Sequence, residues 1–70
     1  MGKVILYEHG CPNCLRLKKM LDTKHIVYED VTDVNLMRSM GFTEAPKLEV
    51  DGVIMNFKDA KNWVEEQNNG

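Results

Sequence analysis

The sequence lacks any long hydrophobic run. No stretch approaches the roughly 18 apolar residues that a membrane-spanning helix needs. The first apolar segment, Val4 to Tyr7, is too short for the hydrophobic region of a signal peptide. We therefore expect a cytoplasmic protein that does not associate with a membrane.

The chain also lacks a large excess of positive or negative charge. Nine Lys and Arg residues stand against eleven Asp and Glu residues, which gives a formal net charge of −2. This balance provides no broad positive field for a phosphate backbone, so nucleic acid is not an expected partner. The 70 residues contain no internal repeat and no low-complexity segment, and they predict a single domain over 1–70 with a small core. We expect it to be a monomer.

The first half of the chain has the pattern of a strand, a helix and a second strand. Lys3 to Tyr7 is β-rich and apolar on both faces, as in a buried strand. An amphipathic helix is predicted from the cysteine pair to about Thr23, and Ile26 to Val31 alternates as a second strand. A helical crossover of this length between two strands implies that they pair in parallel.

A short helix and a hairpin are predicted next. Thr32 and Asp33 are both candidate caps for the helix, and Gly41 can end it in a left-handed conformation. In "LEVDGVIM", Asp51 and Gly52 separate two β-rich runs, which is the signal for a two-residue hairpin turn. That turn pairs Val50 with Val53 and Leu48 with Met55. The apolar residues of the short helix are Val34, Leu36, Met37 and Met40.

The last segment, from Phe57 to Gln67, has the apolar spacing of a helix. Asn56 is a candidate N-cap, and Asp59 places a negative charge in the first turn, where it suits the helix dipole. The predicted order is thus β-α-β-α-β-β-α with a four-stranded mixed sheet, which is an α/β architecture.

Cysteine is rare too, and the chain's two cysteines stand together in "CPNC" as Cys11 and Cys14. A disulfide closing so small a ring would stabilise the fold by about 2 kcal/mol and would hold nothing distant. In a cytoplasmic protein, a lone pair with this spacing is more often catalytic or metal-binding than structural.

A redox role fits the position of the pair. Pro12 suits the first turn of a helix, so Cys11 is expected at the helix N-terminus, where unpaired N–H groups favour a thiolate. Moving a thiol pKa from about 8.5 to about 7 needs roughly 2 kcal/mol, which is about what a helix terminus supplies in a partly buried site. Cys14 lies one turn further on the apolar face and is expected to be the shielded, resolving thiol.

Over nearly its whole length the chain resembles a small glutaredoxin of the thioredoxin superfamily. The similar features are a first strand followed by "CPNC", close to the CPYC of dithiol glutaredoxins, then "EAPKLEVDG", then a last helix opened by "NFKDA". The resemblance implies a minimal thioredoxin fold. It also implies that Cys11 is the nucleophile, that Cys14 is the resolving cysteine and that Pro46 is cis opposite them. The backbone of Ala45 would pair with bound substrate.

The same resemblance implies disulfide-containing protein substrates and no bound cofactor, with glutathione as a candidate co-substrate. Pro12, Asn13 and Asp59 are expected to contribute to substrate binding. Glu8 replaces a lysine that holds a glutathione carboxylate in the family, and a carboxylate there would repel one. The Gly-Gly pair that usually opens the last helix is also missing. The electron donor is therefore either glutathione or a thioredoxin-reductase-like enzyme, and an iron–sulfur cluster shared through Cys11 is disfavoured.

The competing function is that of a soft-metal carrier, because two thiolates bind Cu(I) or Zn(II) well. Carriers of this size also place the cysteine pair after the first strand, but they follow a βαββαβ order and end on a strand.

Three residues near the cysteine pair have no assigned role in the predicted site. His9 could tune the thiolate or be solvated, Leu15 could cover a loop or contact substrate, and Lys18 is expected on a solvated helix face.

Overall fold

The structure, a computed structural model that describes residues 2–67, has the predicted order of elements. They are β1 (Val4–Tyr7), α1 (Pro12–Thr23), β2 (Glu29–Val31), α2 (Val34–Ser39), β3 (Lys47–Val50), β4 (Val53–Met55) and α3 (Phe57–Glu66).

The four strands form one mixed sheet in the order β2-β1-β3-β4. β1 pairs in parallel with β2 and antiparallel with β3, and β3 pairs antiparallel with β4. The βαβ crossover through α1 therefore gives the expected parallel pair, and the prediction of a four-stranded mixed sheet is confirmed.

The hairpin between β3 and β4 has the predicted turn and register. Asp51 and Gly52 both have positive φ angles, of 53° and 85°, as a type I′ turn requires. Val50 pairs with Val53, and Leu48 pairs with Met55. Leu48 is fully buried, whereas Val53, beside the turn, is 63% exposed.

The core lies between the sheet and two helices, α1 and α3, which pack against each other. Apolar residues of α1 at helical spacing supply one side of it, and alternate residues of β1 and β3 supply the other. Complete burial of one such side chain contributes roughly 1.5–3 kcal/mol. The core cluster contains Val4, Leu6, Leu17, Leu21, Leu48, Ala60 and Val64.

β2 is shorter than predicted, since it begins at Glu29 rather than at Ile26. Its register with β1 places residues 26 and 27 opposite residues 2 and 3, which precede β1. The alternation that predicted a longer strand is nevertheless real. Ile26 and Tyr28 pack against the core, while Val27 is 90% exposed.

Fewer of the apolar residues of α2 are buried than the sequence predicts. Asp33 caps it, its side chain accepting the N–H of Leu36 at 3.1 Å, and Gly41 follows it with a φ of 83°. Both end signals are confirmed. Met37 is buried, but Val34, Leu36 and Met40 are exposed. A helix of six residues makes fewer than two turns, so it cannot bury a full stripe.

Candidate active site

The two cysteines stand where β1 gives way to α1. Cys11 is the N-cap of α1, with extended backbone angles of φ −68° and ψ 164°, and Pro12 opens the helix. The backbone N–H of Cys14 donates to Cys11 Sγ at 3.1 Å. The sulfur of Cys11 therefore takes the capping position that a serine or aspartate oxygen usually takes. The predicted placement of Cys11 is confirmed.

Cys11 and Cys14 form a disulfide, with their Cα atoms 4.9 Å apart. The two sulfurs differ in access to solvent. Cys11 is half-buried, whereas Cys14 has 0% exposed surface and lies on the same helix face as Leu17. A bulky substrate can therefore approach Cys11 more readily than Cys14.

A second segment approaches the disulfide at the start of β3. The peptide bond between Ala45 and Pro46 is cis, as expected, and Pro46 is buried. The carbonyl oxygen of Ala45 lies 3.8 Å from Cys11 Sγ. The structure thus brings together four of the predicted site residues, Cys11, Cys14, Ala45 and Pro46.

Glu8, three residues before Cys11, is buried, with 3% of its surface exposed. Its carboxylate accepts the N–H of Gly10 at 2.7 Å and lies 3.4 Å from the ammonium of Lys18. Lys18 also forms a 2.9 Å ion pair with Asp30. Glu8 therefore does not face an incoming ligand as a free repelling charge, and Lys18 does not lie on a purely solvated helix face, so the prediction for Lys18 was wrong.

Glu8, Lys18 and Asp30 form a charged cluster, and their contacts shift the pKa values of Lys18 and Asp30. The hydrogen bond to Asp30 raises the pKa of Lys18 above its ordinary value. Burial acts to raise the pKa of Asp30, but the hydrogen bond and the positive charge of Lys18 outweigh it, and the pKa of Asp30 lies below its ordinary value. The cluster is a charged network that joins the segment before Cys11 to α1 and β2.

His9 is exposed, yet its ring lies beside the disulfide. One of its ring nitrogens and the sulfurs of Cys11 and Cys14 lie within 4.8 Å of one another. The sequence alone indicated only that His9 precedes Cys11 by two residues. Gly10, with a φ of 84°, makes the turn between them.

The remaining predicted residues are less closely tied to the disulfide. Pro12 and Asn13 are exposed at the start of α1. Asp59 is exposed in the first turn of α3, where its N–H donates to Asn56 Oδ1 at 2.8 Å. Within residues 2–67 no hydrogen bond or ion pair joins the Asp59 side chain to the cysteines. Leu15, beside the exposed start of α1, is 57% exposed.

Comparison of the chain with protein-family models and with curated proteins finds no match. Among the described residues, none of the helices has both the length and the apolar character needed to span a bilayer.

Proposed function

We propose that this chain is a thiol–disulfide oxidoreductase with a glutaredoxin-like form of the thioredoxin fold, and that Cys11 and Cys14 are its redox couple. The observation that carries the proposal is the asymmetry of the pair. Cys11 is half-buried and its Sγ accepts an N–H at the start of α1, whereas Cys14 is fully buried one turn later. Cys11 can meet a substrate disulfide, whereas Cys14 is shielded from one and is placed to attack Cys11.

The reaction follows from that asymmetry. The Cys11 thiolate attacks one sulfur of a substrate disulfide, forms a mixed disulfide and displaces the other substrate sulfur as a thiolate. The Cys14 thiol then loses its proton and attacks the Cys11 sulfur, which releases the second substrate thiolate. The protein is left with the Cys11–Cys14 disulfide, and two electrons have passed to the substrate.

The cis Ala45–Pro46 segment supports the proposal because it places backbone groups next to the reacting sulfur. The Ala45 carbonyl oxygen is 3.8 Å from Cys11 Sγ. An extended substrate that crosses this point could pair with the Ala45 backbone while its disulfide reaches Cys11. Pro12 and Asn13, both exposed, would border such a substrate on the α1 side.

The fold supports a redox protein over a soft-metal carrier of similar size. The βαββαβ order of those carriers ends on a strand, whereas the last described element here is α3, which packs on α1 and β3. The strand order β2-β1-β3-β4, with β1 and β2 parallel, is consistent with a glutaredoxin-like sheet.

Either of two reductants could regenerate the dithiol. Two molecules of glutathione would do so by attack on Cys11, with release of glutathione disulfide, and a thioredoxin-reductase-like enzyme would do so with NADPH. Because the Glu8 carboxylate is buried and paired with Lys18, it does not by itself exclude glutathione. By resemblance to glutaredoxins, Asp59 at the start of α3 is the residue of the family's glutathione-binding segment that this chain retains.

The test starts from the oxidised protein in the presence of EDTA. NADPH consumption is followed with glutathione and its reductase, and separately with thioredoxin reductase. We expect one of the two systems to reduce the Cys11–Cys14 bridge catalytically and to support reduction of a model protein disulfide. Failure of both systems would contradict the proposal.

Two variants assign the roles of the cysteines. Cys11→Ser should abolish exchange, because the buried Cys14 sulfur cannot meet the substrate. Cys14→Ser should accumulate a mixed disulfide on Cys11, which mass spectrometry of the trapped protein would detect. Retention of exchange by Cys11→Ser, or trapping on Cys14 in that variant, would reverse the assignment.

A further inference from the structure

Three potential metal-ligand side chains converge at the start of α1. They are the imidazole of His9 and the sulfurs of Cys11 and Cys14, and their ligand atoms all lie within 4.8 Å of one another. His9 comes from the segment after β1, and the cysteines come from the first turn of α1. Within residues 2–67, no other group of three or more His, Cys, Asp or Glu side chains is as close.

We infer that the reduced protein binds one Zn²⁺ ion per chain through His9 Nδ1 or Nε2, Cys11 Sγ and Cys14 Sγ. A tetrahedral zinc ion takes sulfur at about 2.3 Å and nitrogen at about 2.0–2.1 Å, so its ligand atoms lie about 3.5–3.8 Å apart. Reduction frees the two sulfurs to separate to that spacing. The exposed imidazole needs to approach by only about 1 Å to complete the set.

The donor set suits zinc. In proteins, Zn²⁺ commonly binds to a mixture of imidazole and thiolate ligands. Three protein ligands leave the fourth position of a tetrahedral site for water. His9 distinguishes this site from a bare pair of thiolates, which would have to recruit ligands from a second chain. The site is also partly open, because His9 is exposed and Cys11 is half-buried.

Metal binding at this site would depend on redox state. Zn²⁺ needs both sulfurs as thiolates, so its binding to the reduced form releases the proton of the Cys14 thiol. A disulfide oxidant reverses the binding of zinc. The bond between the Cys11 and Cys14 sulfurs forms, the bond in the oxidant breaks, two electrons leave the protein, and the oxidant departs as two thiolates while Zn²⁺ is released. Zinc would therefore protect the dithiol from oxidation.

This inference goes beyond the proposed exchange activity and does not need it, because binding is measured without a substrate. If reduced protein fails to bind zinc but exchanges disulfides in EDTA, only this inference fails. If it binds zinc but shows no exchange, only the proposed function fails.

The experiment titrates anaerobically reduced protein with Zn²⁺ against a chromophoric chelator. Co²⁺ serves as a spectroscopic probe of thiolate and imidazole ligation. The test variant is His9→Asn, and the matched control is His25→Asn. His25 is also an exposed histidine, but it follows the far end of α1 and has a φ of 59°, which asparagine tolerates. Melting curves of the oxidised variants check that both are folded.

We expect one Zn²⁺ per reduced chain and no binding by the oxidised protein. His9→Asn should weaken binding by at least about 10-fold, since even loss of a group that supports a ligand costs about 10- to 100-fold, and His25→Asn should bind as the parent does. The inference is overturned if reduced protein does not bind Zn²⁺, if His9→Asn binds as tightly as the parent, or if two chains share one ion.

Discussion

The buried charge of Glu8 allows a quantitative prediction about stability. Glu8→Gln keeps the size of the side chain but removes its negative charge. The structure gives this carboxylate two partners, the Gly10 N–H at 2.7 Å and the Lys18 ammonium at 3.4 Å. A hydrogen bond to a charged group contributes about 1.5–3 kcal/mol to stability. Gln keeps an oxygen that can accept the Gly10 N–H, so only the difference between a charged and a neutral acceptor is lost. We therefore expect Glu8→Gln to lower the free energy of unfolding by about 1 kcal/mol.

A matched control is available in a second ion pair. Glu29 lies 3.5 Å from Lys3, nearly the same distance as Glu8 from Lys18, but its side chain is 58% exposed whereas that of Glu8 is 4% exposed. Exposed pairs contribute about 0.2–1 kcal/mol, and within residues 2–67 the Glu29 carboxylate accepts no backbone N–H, so Glu29→Gln should have a smaller effect. The comparison thus tests the burial and the backbone contact of Glu8 together.

Urea unfolding at pH 7 measures both variants, with the disulfide kept intact. In a domain of this size, about 1 kcal/mol corresponds to a fall in melting temperature of roughly 4–8 °C. Equal losses for Glu8→Gln and Glu29→Gln would refute the reasoning, because the geometry of the pairs would then outweigh their burial.

Three further predictions concern single contacts. Gly52→Ala should cost about 1 kcal/mol in urea unfolding, since alanine is strained at a positive φ; an unchanged midpoint would argue against the turn. Asn56→Ala should cost about 1 kcal/mol by the same measurement, through loss of the α3 cap; no loss would argue against that cap. Because the folded pKa of Asp30 is lowered from 3.8, its contribution is present above about pH 4 and is lost as pH falls through the folded value. Asp30→Asn should therefore be less stable than the parent at pH 7, with the difference vanishing in acid; a constant difference would contradict this.

The features that sequence alone predicted correctly are local ones. Asp51 and Gly52 define their turn through their own backbone preferences, and Asn56 caps α3 through a contact three residues away. Cys11 reaches the helix N-terminus because Pro12 fixes the first turn. The order of elements follows from such signals together with the spacing of apolar residues.

The features that sequence did not predict depend on distant contacts. The position of Lys18 in the sequence of α1 does not distinguish it from an ordinary surface lysine. Only the tertiary fold brings Glu8 and Asp30 close to it. A signal was nevertheless present, because Lys18 follows the buried Cys14 by four residues and so lies on a neighbouring part of the same helix face. The early start predicted for β2 was wrong because alternation does not reveal where a partner strand begins.

The central claim is that Cys11 is the reactive sulfur, held as a thiolate by the N–H groups that begin α1. Its most direct test is alkylation of the fully reduced protein across a range of pH in EDTA, with the modified residue identified by mass spectrometry. We predict that Cys11 reacts long before Cys14, and that its reaction reaches half its maximal rate well below the pKa of about 8.5 of a free cysteine. Equal rates at the two cysteines, or a Cys11 profile like that of a free thiol, would contradict the account.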